Sequence, residues 1–274
     1  MDIQALEATC RQVRRDIVTM CAGAGSGHPG GSLSCTEALV ALYFDVMKVD
    51  PKNPKDPARD RFVLSKGHAA PALYGVLAER GFFSREEFAR FRQIHSILQG
   101  HPDVKKCPGV DASTGSLGQG ISAACGMALA AKYKKQPSRV YALLGDGELQ
   151  EGQNWEAFMS MRAFALQNMT PIVDLNGVQL DGPTEVVQPA QAALSQKLAG
   201  FGIRVFEVEG HDEGQIERAV REARNCGEPH AVVAHTVKGK GVSFMEGQAA
   251  WHGKPLSAED YAAARAEIEG RLMR

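Results

Sequence analysis

One stretch of the sequence, Val140–Gly182, constrains the fold more strongly than any other. Val140–Leu144 is a short apolar run typical of a buried strand, Glu151–Gln167 has the length and spacing of a helix, and Pro171–Leu175 is typical of the next strand. A strand, a helix and a strand in this order form a right-handed crossover between parallel strands. The segment therefore predicts a parallel sheet with helices packed against it.

Polar residues follow both predicted strands of this segment. Gly145-Asp146-Gly147 comes after the first strand, and Asn176 comes after the second. Because parallel strands end at the same edge of a sheet, we expect Asp146 and Asn176 to be neighbours. One carboxylate and one amide oxygen suit a hard cation such as Mg²⁺, which keeps coordination positions for phosphate oxygens. The flanking glycines would let a diphosphate approach the backbone, and a plain Asp-Gly turn is the alternative interpretation.

The rest of the chain continues the alternation of strands and helices. Further short strands are predicted at Phe62–Leu64, Arg204–Glu209 and His230–His235. Helices are predicted over Ile3–Cys21, Cys35–Met47, Ile121–Tyr133, about Gln191–Ala199, Glu213–Cys226 and about 257–272, and loops over Gly100–Gly120 and Leu180–Val187. This order predicts an α/β fold, a doubly wound and mostly parallel sheet with helices on both faces, in a single domain over residues 1–274.

Composition excludes several classes of protein. A formal net charge of −1 gives no overall field that would attract nucleic acid or an anionic membrane, so neither partner is expected. The six cysteines lie far apart without a C-x-x-C motif, which is typical of a reduced protein with buried thiols and not of a disulfide framework or a zinc site. The N-terminal residues follow a helical pattern, and no apolar run reaches transmembrane length. We therefore expect a cytoplasmic protein.

Four histidines lie in loops next to glycine or proline. His28 and His101 are in Gly-His-Pro, His68 is in Gly-His-Ala, and His252 is in Trp-His-Gly; His211 also follows a glycine. A single loop histidine is ordinarily just exposed. Imidazoles also transfer protons near neutral pH and bind phosphate or hydroxyl groups. Four such loops together predict a polar pocket.

Two other polar features have more than one interpretation. The turn Lys238-Gly239-Lys240-Gly241 is compatible with phosphate binding and equally with a solvated basic turn, so its lysines are not assigned. Glu151 lies near the start of a predicted helix, where a carboxylate is explained by the helix dipole alone.

Seven motifs in a fixed order resemble the N-terminal, diphosphate-binding part of transketolase, one of the thiamine diphosphate enzymes. The likeness runs from about Arg14 to about Leu256. The motifs are SGHPG (26–30), DRFVLSKGHA (60–69), GHPD (100–103), TGSLGQGIS (114–122), GDGELQEGQNWEA (145–157), LNGVQLDG (175–182) and WHGKPL (251–256). Each motif is moderately specific, and the ordered set is strongly so.

The resemblance implies a thiamine diphosphate site that includes a divalent metal ion. Asp146, Asn176 and the backbone carbonyl of Val178 would bind the ion, with Mg²⁺ expected and Ca²⁺ or Mn²⁺ as alternatives. Gly147 would donate its backbone N–H to the diphosphate. To these the resemblance adds a set of cofactor-binding residues: His68, Gly115, Ser116, Leu117, Gly145, Glu148 and His252.

The resemblance also implies a reaction, the transfer of a two-carbon ketol unit from a ketose or ketose phosphate to an aldose or aldose phosphate. His68 and His252 would contact the diphosphate and the reacting centre, while His28 and His101 would bind substrate hydroxyls and move protons. Glu151 would belong to a carboxylate network between subunits. The sequence does not choose between the pentose phosphate pathway and routes for unusual or sulfonated sugars.

The chain departs from full-length members of the family in length and at two positions. Lys66 and Ser116 stand where many members have asparagine and proline. Full-length members continue into a pyrimidine-binding domain, which holds the glutamate that activates the cofactor, and into a third domain. We therefore predict a second subunit that carries the pyrimidine-binding domain, in a heterotetramer of two chains of each kind.

Two other functions stay open from the residues. One is a different thiamine diphosphate carboligase similar to deoxyxylulose-phosphate synthase, and the other is a non-catalytic relative of the same fold. His28, His101 and the segment Glu148–Gly152 favour transketolase over the first. Intact Asp146 and Asn176 argue against the second.

Overall fold

A parallel sheet organises the computed structural model, which describes residues 2–189 and 193–270. In chain order the strands are β1 (Arg61–Leu64), β2 (Val140–Gly145), β3 (Met169–Leu175), β4 (Val178–Gln179), β5 (Gly182–Pro183), β6 (Arg204–Glu209) and β7 (His230–His235). β4 and β5 form a small antiparallel hairpin, and the other five strands form the sheet in the order β1-β2-β3-β7-β6. Every pairing in this sheet is parallel.

Helices cover both faces of the sheet. They are α1 (Ile3–Gly23), α2 (Pro29–Leu33), α3 (Thr36–Ala41), α4 (Ala70–Arg80), α5 (Gln119–Tyr133), α6 (Gly152–Ala163), α7 (Thr184–Val187), α8 (Leu194–Gly200), α9 (Glu213–Asn225) and α10 (Ala258–Gly270). Among the helices of residues 2–189 and 193–270, none is long and apolar enough to cross a membrane.

Alternate residues of the strands face two separate apolar cores. Leu143 and Val232 lie in the core formed with α1, α3, α4 and α9, whereas Leu144 and Val233 lie in the core formed with α5, α6 and α8. This alternation follows from the two-residue period of a strand, and strands covered on both faces are apolar throughout. The predicted doubly wound α/β fold is therefore confirmed.

The parallel arrangement brings the ends of four strands together. Ser65, Asp146, Asn176 and Thr236 each follow a strand of the sheet, β1, β2, β3 and β7 respectively. We call this common end the carboxyl edge. In open parallel sheets, ligands bind in the crevice outside the carboxyl ends of the strands.

Several predicted elements have different bounds in the structure. The predicted loop Leu180–Val187 was wrong, because it contains β5 and α7; the backbone N–H of Thr184 donates to the Gly177 carbonyl at 2.9 Å and folds this segment back on itself. The predicted helix Cys35–Met47 is α3 followed by a π-helical turn over Leu42–Val46.

Two predicted helices end or begin elsewhere. α6 begins after Glu151, which has an extended backbone, and the left-handed conformation of Ala165 (φ 48°) turns the chain before Gln167. Gln191 lies outside the described residues, and α8 begins at Leu194.

The predicted C-terminal helix begins as expected. The Ser257 hydroxyl accepts a hydrogen bond from the Asp260 N–H at 3.0 Å, and the Asp260 carboxylate accepts one from the Ser257 N–H at 3.1 Å. This reciprocal pair satisfies N–H groups that the first turn leaves without partners. The prediction for residues 271 and 272 lies outside the described range.

Candidate active site

A cavity of about 270 Å³ opens at the carboxyl edge. It lies between the glycine-rich turn after β2, the short helix that follows β1, the β4–β5 hairpin and the segments that follow β7. Many residues predicted from the sequence line it: His68, Leu117, Gly145, Asp146, Gly147, Glu148, Glu151, Asn176, Val178 and His252. The fold therefore collects at one place residues that are far apart in the chain.

Asp146 and Asn176 are neighbours, as the crossover predicted. The Asp146 carboxylate accepts hydrogen bonds from the backbone N–H of Gly147 at 2.8 Å and of Gly177 at 2.6 Å, while the Asn176 amide oxygen accepts one from Val178 at 3.1 Å. Burial, and then the nearby Asp174 carboxylate, raises the pKa of Asp146 to about 6. A cation at this place would favour the ionised carboxylate.

A buried ion pair lies beneath this site. The Lys66 ammonium pairs with the Asp174 carboxylate and donates to the Gly31 carbonyl at 2.8 Å. The Ser34 hydroxyl donates to Asp174 at 2.6 Å, and the Asn176 side-chain amide donates to it at 3.2 Å. Burial alone would raise the pKa of Asp174, but the Lys66 charge outweighs it and the pKa lies below its ordinary value. The pair thus fixes the orientation of the Asn176 amide.

The four loop histidines form one group, the histidine cluster. The His28 ring centroid lies 5.3 Å from that of His68, 5.4 Å from that of His252 and 6.2 Å from that of His101. His68 and His252 are 5.0 Å apart. The four predicted histidines therefore lie together, with His68 and His252 lining the cavity and His28 and His101 outside its lining. His211 lies elsewhere, hydrogen-bonded to Glu37 at 3.1 Å.

Local sequence explains how two of these rings reach the cluster. His28 immediately precedes α2, and Pro29 suits the first helical position because that position needs no N–H donor. Gly67 packs so closely on the Thr114–Gly115 backbone that a Cβ there would lie 2.6 Å from the Gly115 nitrogen. This contact holds the short helix of His68 against the loop that follows His101.

Burial favours the neutral form of all four imidazoles of the histidine cluster. Burial, and then the positive charges of neighbouring Arg92 and Lys238, lowers the pKa of His28 to about 4. Burial followed by Lys238 lowers the pKa of His252 to about 4 as well, and the pKa values of His68 and His101 also lie below the ordinary value. The Nδ1 atom of His28 is buried without a hydrogen-bond partner in the described part of the chain. A neutral ring of this kind can accept a proton or a hydroxyl hydrogen bond.

Lys238 is a site residue that sequence reasoning left unassigned. Its ammonium donates to the Val178 carbonyl oxygen at 2.9 Å and lies 3.1 Å from Nδ1 of His252. Burial, and then repulsion by Lys66, lowers the pKa of Lys238 to about 8. The glycine-lysine turn after β7 was the available signal, and it was not decisive because solvated turns have the same composition.

The loop over Gly115–Leu117 approaches the cavity from the side of His101. A Cβ at Gly115 would lie 2.9 Å from the His101 ring, and its φ of 141° also favours glycine. Leu117 lines the cavity, and Ser116 is exposed. This loop therefore brings backbone and one apolar side chain to the site.

Glu148 and Glu151 differ in their surroundings. The Glu148 carboxylate accepts hydrogen bonds from Ser65 at 2.5 Å, Gly118 at 2.9 Å and Gly145 at 3.1 Å, and burial raises its pKa. It joins the ends of β1 and β2 to the start of α5. Glu151 is exposed at the rim of the cavity.

The chain matches one protein family over nearly its whole length. The family model described as "Transketolase, thiamine diphosphate binding domain" matches residues 4–270. The sequence is 42% identical over 273 residues to an apulose-4-phosphate transketolase subunit of Phocaeicola vulgatus, covering 99% of this chain and 96% of the relative. It is 45% identical over 246 residues to the 6-deoxy-6-sulfo-D-fructose transketolase subunit SqwG of a Clostridium species, covering 89% of each.

Solved structures give the same picture. The crystal structure of transketolase from Campylobacter jejuni superposes with a TM-score of 0.92 at 33% identity, covering 98% of this chain and 43% of that chain. The chain thus spans less than half the length of that solved enzyme, and nearly all of the two relatives named as subunits.

Proposed function

The chain belongs to the transketolase family, whose thiamine diphosphate-binding domain matches residues 4–270, and from this premise we propose that it is the diphosphate-binding subunit of a two-chain transketolase. The observation that carries the proposal is the meeting of Asp146, Asn176, His68 and His252 around one cavity, with the His28 ring packed against both of these histidines and His101 beside His28. The predicted family and the predicted enzyme class, a transferase of ketol groups, agree with the names of the relatives.

The residues at the cavity fit thiamine diphosphate and a divalent cation. The Asp146 carboxylate, the Asn176 amide oxygen and the Val178 carbonyl are oxygen donors that Mg²⁺, Ca²⁺ and Mn²⁺ accept, and we propose them as the metal ligands. Gly147 borders the cavity without a side chain, and Lys238 adds a positive charge that suits a diphosphate. Bound thiamine diphosphate supplies an electron sink for breaking and remaking a ketose carbon–carbon bond.

The remaining cofactor contacts are proposed on the same basis. Gly115, Ser116 and Leu117 would lie along the rings of the cofactor. Gly145 and Glu148 would hold the turn after β2, since the Glu148 carboxylate accepts the Gly145 N–H.

We assign the proton transfers and hydroxyl contacts to the histidine cluster. His28 and His101 would bind substrate hydroxyls and accept their protons. Burial lowers the pKa of both rings and so favours the neutral form, which has a ring nitrogen able to accept a hydroxyl hydrogen bond. His68 and His252 would contact the diphosphate and the reacting centre.

We infer a second subunit that completes the site. Two relatives of about the same length are named as transketolase subunits, and this chain spans 43% of the Campylobacter enzyme. The partner would carry the pyrimidine-binding domain and its activating glutamate, in a heterotetramer of two chains of each kind. Glu151, exposed at the rim of the cavity, would join a carboxylate network across that interface.

The substrate class is a sugar with an anionic end. The relatives are named for apulose 4-phosphate and for 6-deoxy-6-sulfo-D-fructose, which carry a phosphate and a sulfonate. We propose that the donor here is a ketose of this phosphorylated or sulfonated kind and that the acceptor is an aldose or aldose phosphate. The names of the relatives favour ketol transfer over the chemistry of a deoxyxylulose-phosphate synthase and over a non-catalytic role. A place in the pentose phosphate pathway, a cytoplasmic location and a single domain over 1–274 stay predictions.

Reconstitution with a second chain tests the proposal. We expect the purified chain, given thiamine diphosphate and Mg²⁺, to show no ketol transfer from fructose 6-phosphate, apulose 4-phosphate or 6-deoxy-6-sulfofructose to an aldose phosphate. Addition of the pyrimidine-domain subunit of the same organism should restore transfer from one of these donors. Full activity of the chain alone would contradict the two-chain proposal, and cofactor binding by the complex without transfer from any ketose would contradict the enzymatic one.

A further inference from the structure

His211 is the loop histidine that the proposed site does not use. It follows β6, and its side chain is 10% exposed. It lies against Val237–Gly241, the segment after β7 that carries Lys238 into the cavity and that we call the Lys238 turn. The surroundings of His211 therefore bear on where the Lys238 ammonium lies.

The hydrogen bonds of His211 define its tautomer. The backbone N–H of Val237 donates to Nε2 at 2.8 Å, so Nε2 is the acceptor. Nδ1 then carries the proton and donates to the Glu37 carboxylate at 3.1 Å. A neutral imidazole thus connects the first residue of the Lys238 turn to a carboxylate of α3.

Arg14 connects the same carboxylate to the far side of the turn. Its guanidinium pairs with Glu37, and its Nε donates to the Lys240 carbonyl at 3.1 Å. Arg14 and Glu37 are nearly buried, with side-chain exposures of 10% and 5%. Burial would raise the pKa of Glu37, but the Arg14 charge outweighs it and holds the pKa below its ordinary value. Hydrogen bonds therefore run from Val237 through His211, Glu37 and Arg14 to Lys240, and the Lys240 N–H closes the ring by donating to the Val237 carbonyl at 3.1 Å. Lys238 and Gly239 lie between Val237 and Lys240 in the chain.

Close packing leaves this ring little freedom to shift. A Cβ at Gly210 would lie 2.4 Å from the Thr236 methyl group, and a Cβ at Gly241 would lie 2.9 Å from Cδ of Arg14. The Gly239 N–H also donates to the Gly30 carbonyl at 2.9 Å. The turn is thus held by α1, α2, α3 and the loop after β6.

We propose that His211 and Glu37 are positioning residues that hold the Lys238 ammonium where it meets the bound diphosphate. Neither residue touches the cavity; both act through the backbone of the Lys238 turn. The inference rests on the proposed function for the identity of the anion. Loss of either residue should weaken anion binding through Lys238, because an ammonium displaced by a fraction of an ångström loses a directional, charge-assisted hydrogen bond.

A double-mutant cycle separates positioning from general destabilisation. We expect Lys238→Met to raise the dissociation constant of Mg²⁺-thiamine diphosphate about tenfold or more, and His211→Ala to raise it about fivefold. In the double variant the constant should equal that of Lys238→Met alone, because His211 has nothing left to position. Calorimetric titration of the full chain, alone and with its partner subunit, gives these constants.

Two further variants serve as controls. His211→Gln keeps an acceptor for the Val237 N–H and should restore most of the affinity. His230→Gln changes another buried histidine, at the opposite edge of the sheet, where its Nε2 atom lies 2.8 Å from the Thr170 hydroxyl. It should lower the thermal midpoint and leave the dissociation constant unchanged. If His211→Ala does not fold, Glu37→Gln in the same cycle decides the question.

Three results would overturn the inference. They are additive losses in the double variant, an equal loss of affinity in His230→Gln, and unchanged affinity in both His211→Ala and Glu37→Gln. Inorganic pyrophosphate with Mg²⁺ is the second probe. If the wild type binds pyrophosphate but not thiamine diphosphate, the proposed function is wrong while the cycle still decides the role of His211; binding of neither anion would refute both.

Discussion

Asp146 follows β2 and Asp174 lies in the neighbouring strand β3; both are buried, and they differ in the charge around them. Asp174, 1% exposed, pairs with Lys66 and has a pKa below its ordinary value. Asp146, 2% exposed, accepts hydrogen bonds from backbone N–H groups, and its pKa is raised to about 6. Two buried aspartates on the same side of the sheet therefore have pKa values shifted in opposite directions, because only Asp174 has a cation of the chain beside it.

The difference separates a structural ion pair from a binding site. A buried carboxylate is stable when a cation compensates for the lost hydration. The chain supplies that cation to Asp174 from its own Lys66. For Asp146 we propose a divalent ion that binds together with the diphosphate. The compensating charge of Asp146 would thus come from a ligand and not from the chain.

The largest expected effect comes from removing the internal cation. Lys66→Met would leave the Asp174 carboxylate buried and unpaired, and we expect the free energy of unfolding to fall by about 3–5 kcal/mol. Urea denaturation of the full chain, followed by circular dichroism, measures this change.

A paired substitution is the control for that loss. Lys66→Met combined with Asp174→Asn removes both charges, and most of the lost stability should return because no uncompensated charge remains. A loss below about 1 kcal/mol in the single variant would mean that Asp174 is hydrated or protonated, and the contrast with Asp146 would disappear.

Sequence patterns predicted the fold well because the strands are covered on both faces. Apolar runs such as Val140–Leu144 and His230–His235 admit few alternatives when helices separate them. The short hairpin of β4 and β5 escaped prediction, since two-residue strands have no periodicity to detect. Its position depends on the Asp146 carboxylate, which accepts the Gly177 N–H.

The candidate site was predictable where chemistry lies in a motif. Asp146 and Asn176 follow strands in a recognisable spacing, and the histidine cluster lies in loops of unusual composition. Lys238 and Asp174 were not assigned, because their roles depend on contacts across the sheet edge. A carboxylate within an apolar strand, as at Asp174, could have indicated a buried ion pair. The contacts of Lys238 with Val178 and His252 join segments that are far apart in the chain, so no sequence pattern indicates them.

The second largest effect is expected from a substitution of Asp146, the aspartate for which we propose a bound metal ion as the compensating cation. We expect Asp146→Ala to weaken Mg²⁺-dependent thiamine diphosphate binding by at least about 100-fold, because the metal loses its charged ligand. Stability should fall by no more than about 1–2 kcal/mol, since the substitution also removes a carboxylate that is costly to bury. Calorimetric titration and urea denaturation of the same preparations measure both quantities.

Asp56→Ala is the matched control for Asp146→Ala. Asp56 is a partly exposed loop residue outside the cavity lining, and its carboxylate accepts the Ala58 N–H at 2.8 Å. It should leave cofactor affinity unchanged. Unaltered metal-dependent affinity in Asp146→Ala would refute the metal assignment and, with it, the distinction drawn between the two aspartates.

The smallest expected effect is a change in the pH dependence of stability when His28 of the histidine cluster is replaced. His28 has a folded pKa of about 4 against an ordinary value of 6.5, so its contribution to stability is complete above pH 6.5 and is lost as the pH falls towards 4. Since the ring is partly exposed, we expect the wild type to lose about 1 kcal/mol more than His28→Gln between pH 7 and pH 5. Urea denaturation at both pH values gives the difference. Burial raises the pKa of Asp16 to about 6, so protonation of Asp16 adds stability as the pH falls. This contribution is the same in the wild type and in His28→Gln, and it cancels in the difference between them. If the free energy of unfolding of the wild type and of His28→Gln changes equally between pH 7 and pH 5, the His28 ring is hydrated and free to be protonated in the folded protein. The neutral state of the histidine cluster would then depend on the other three rings.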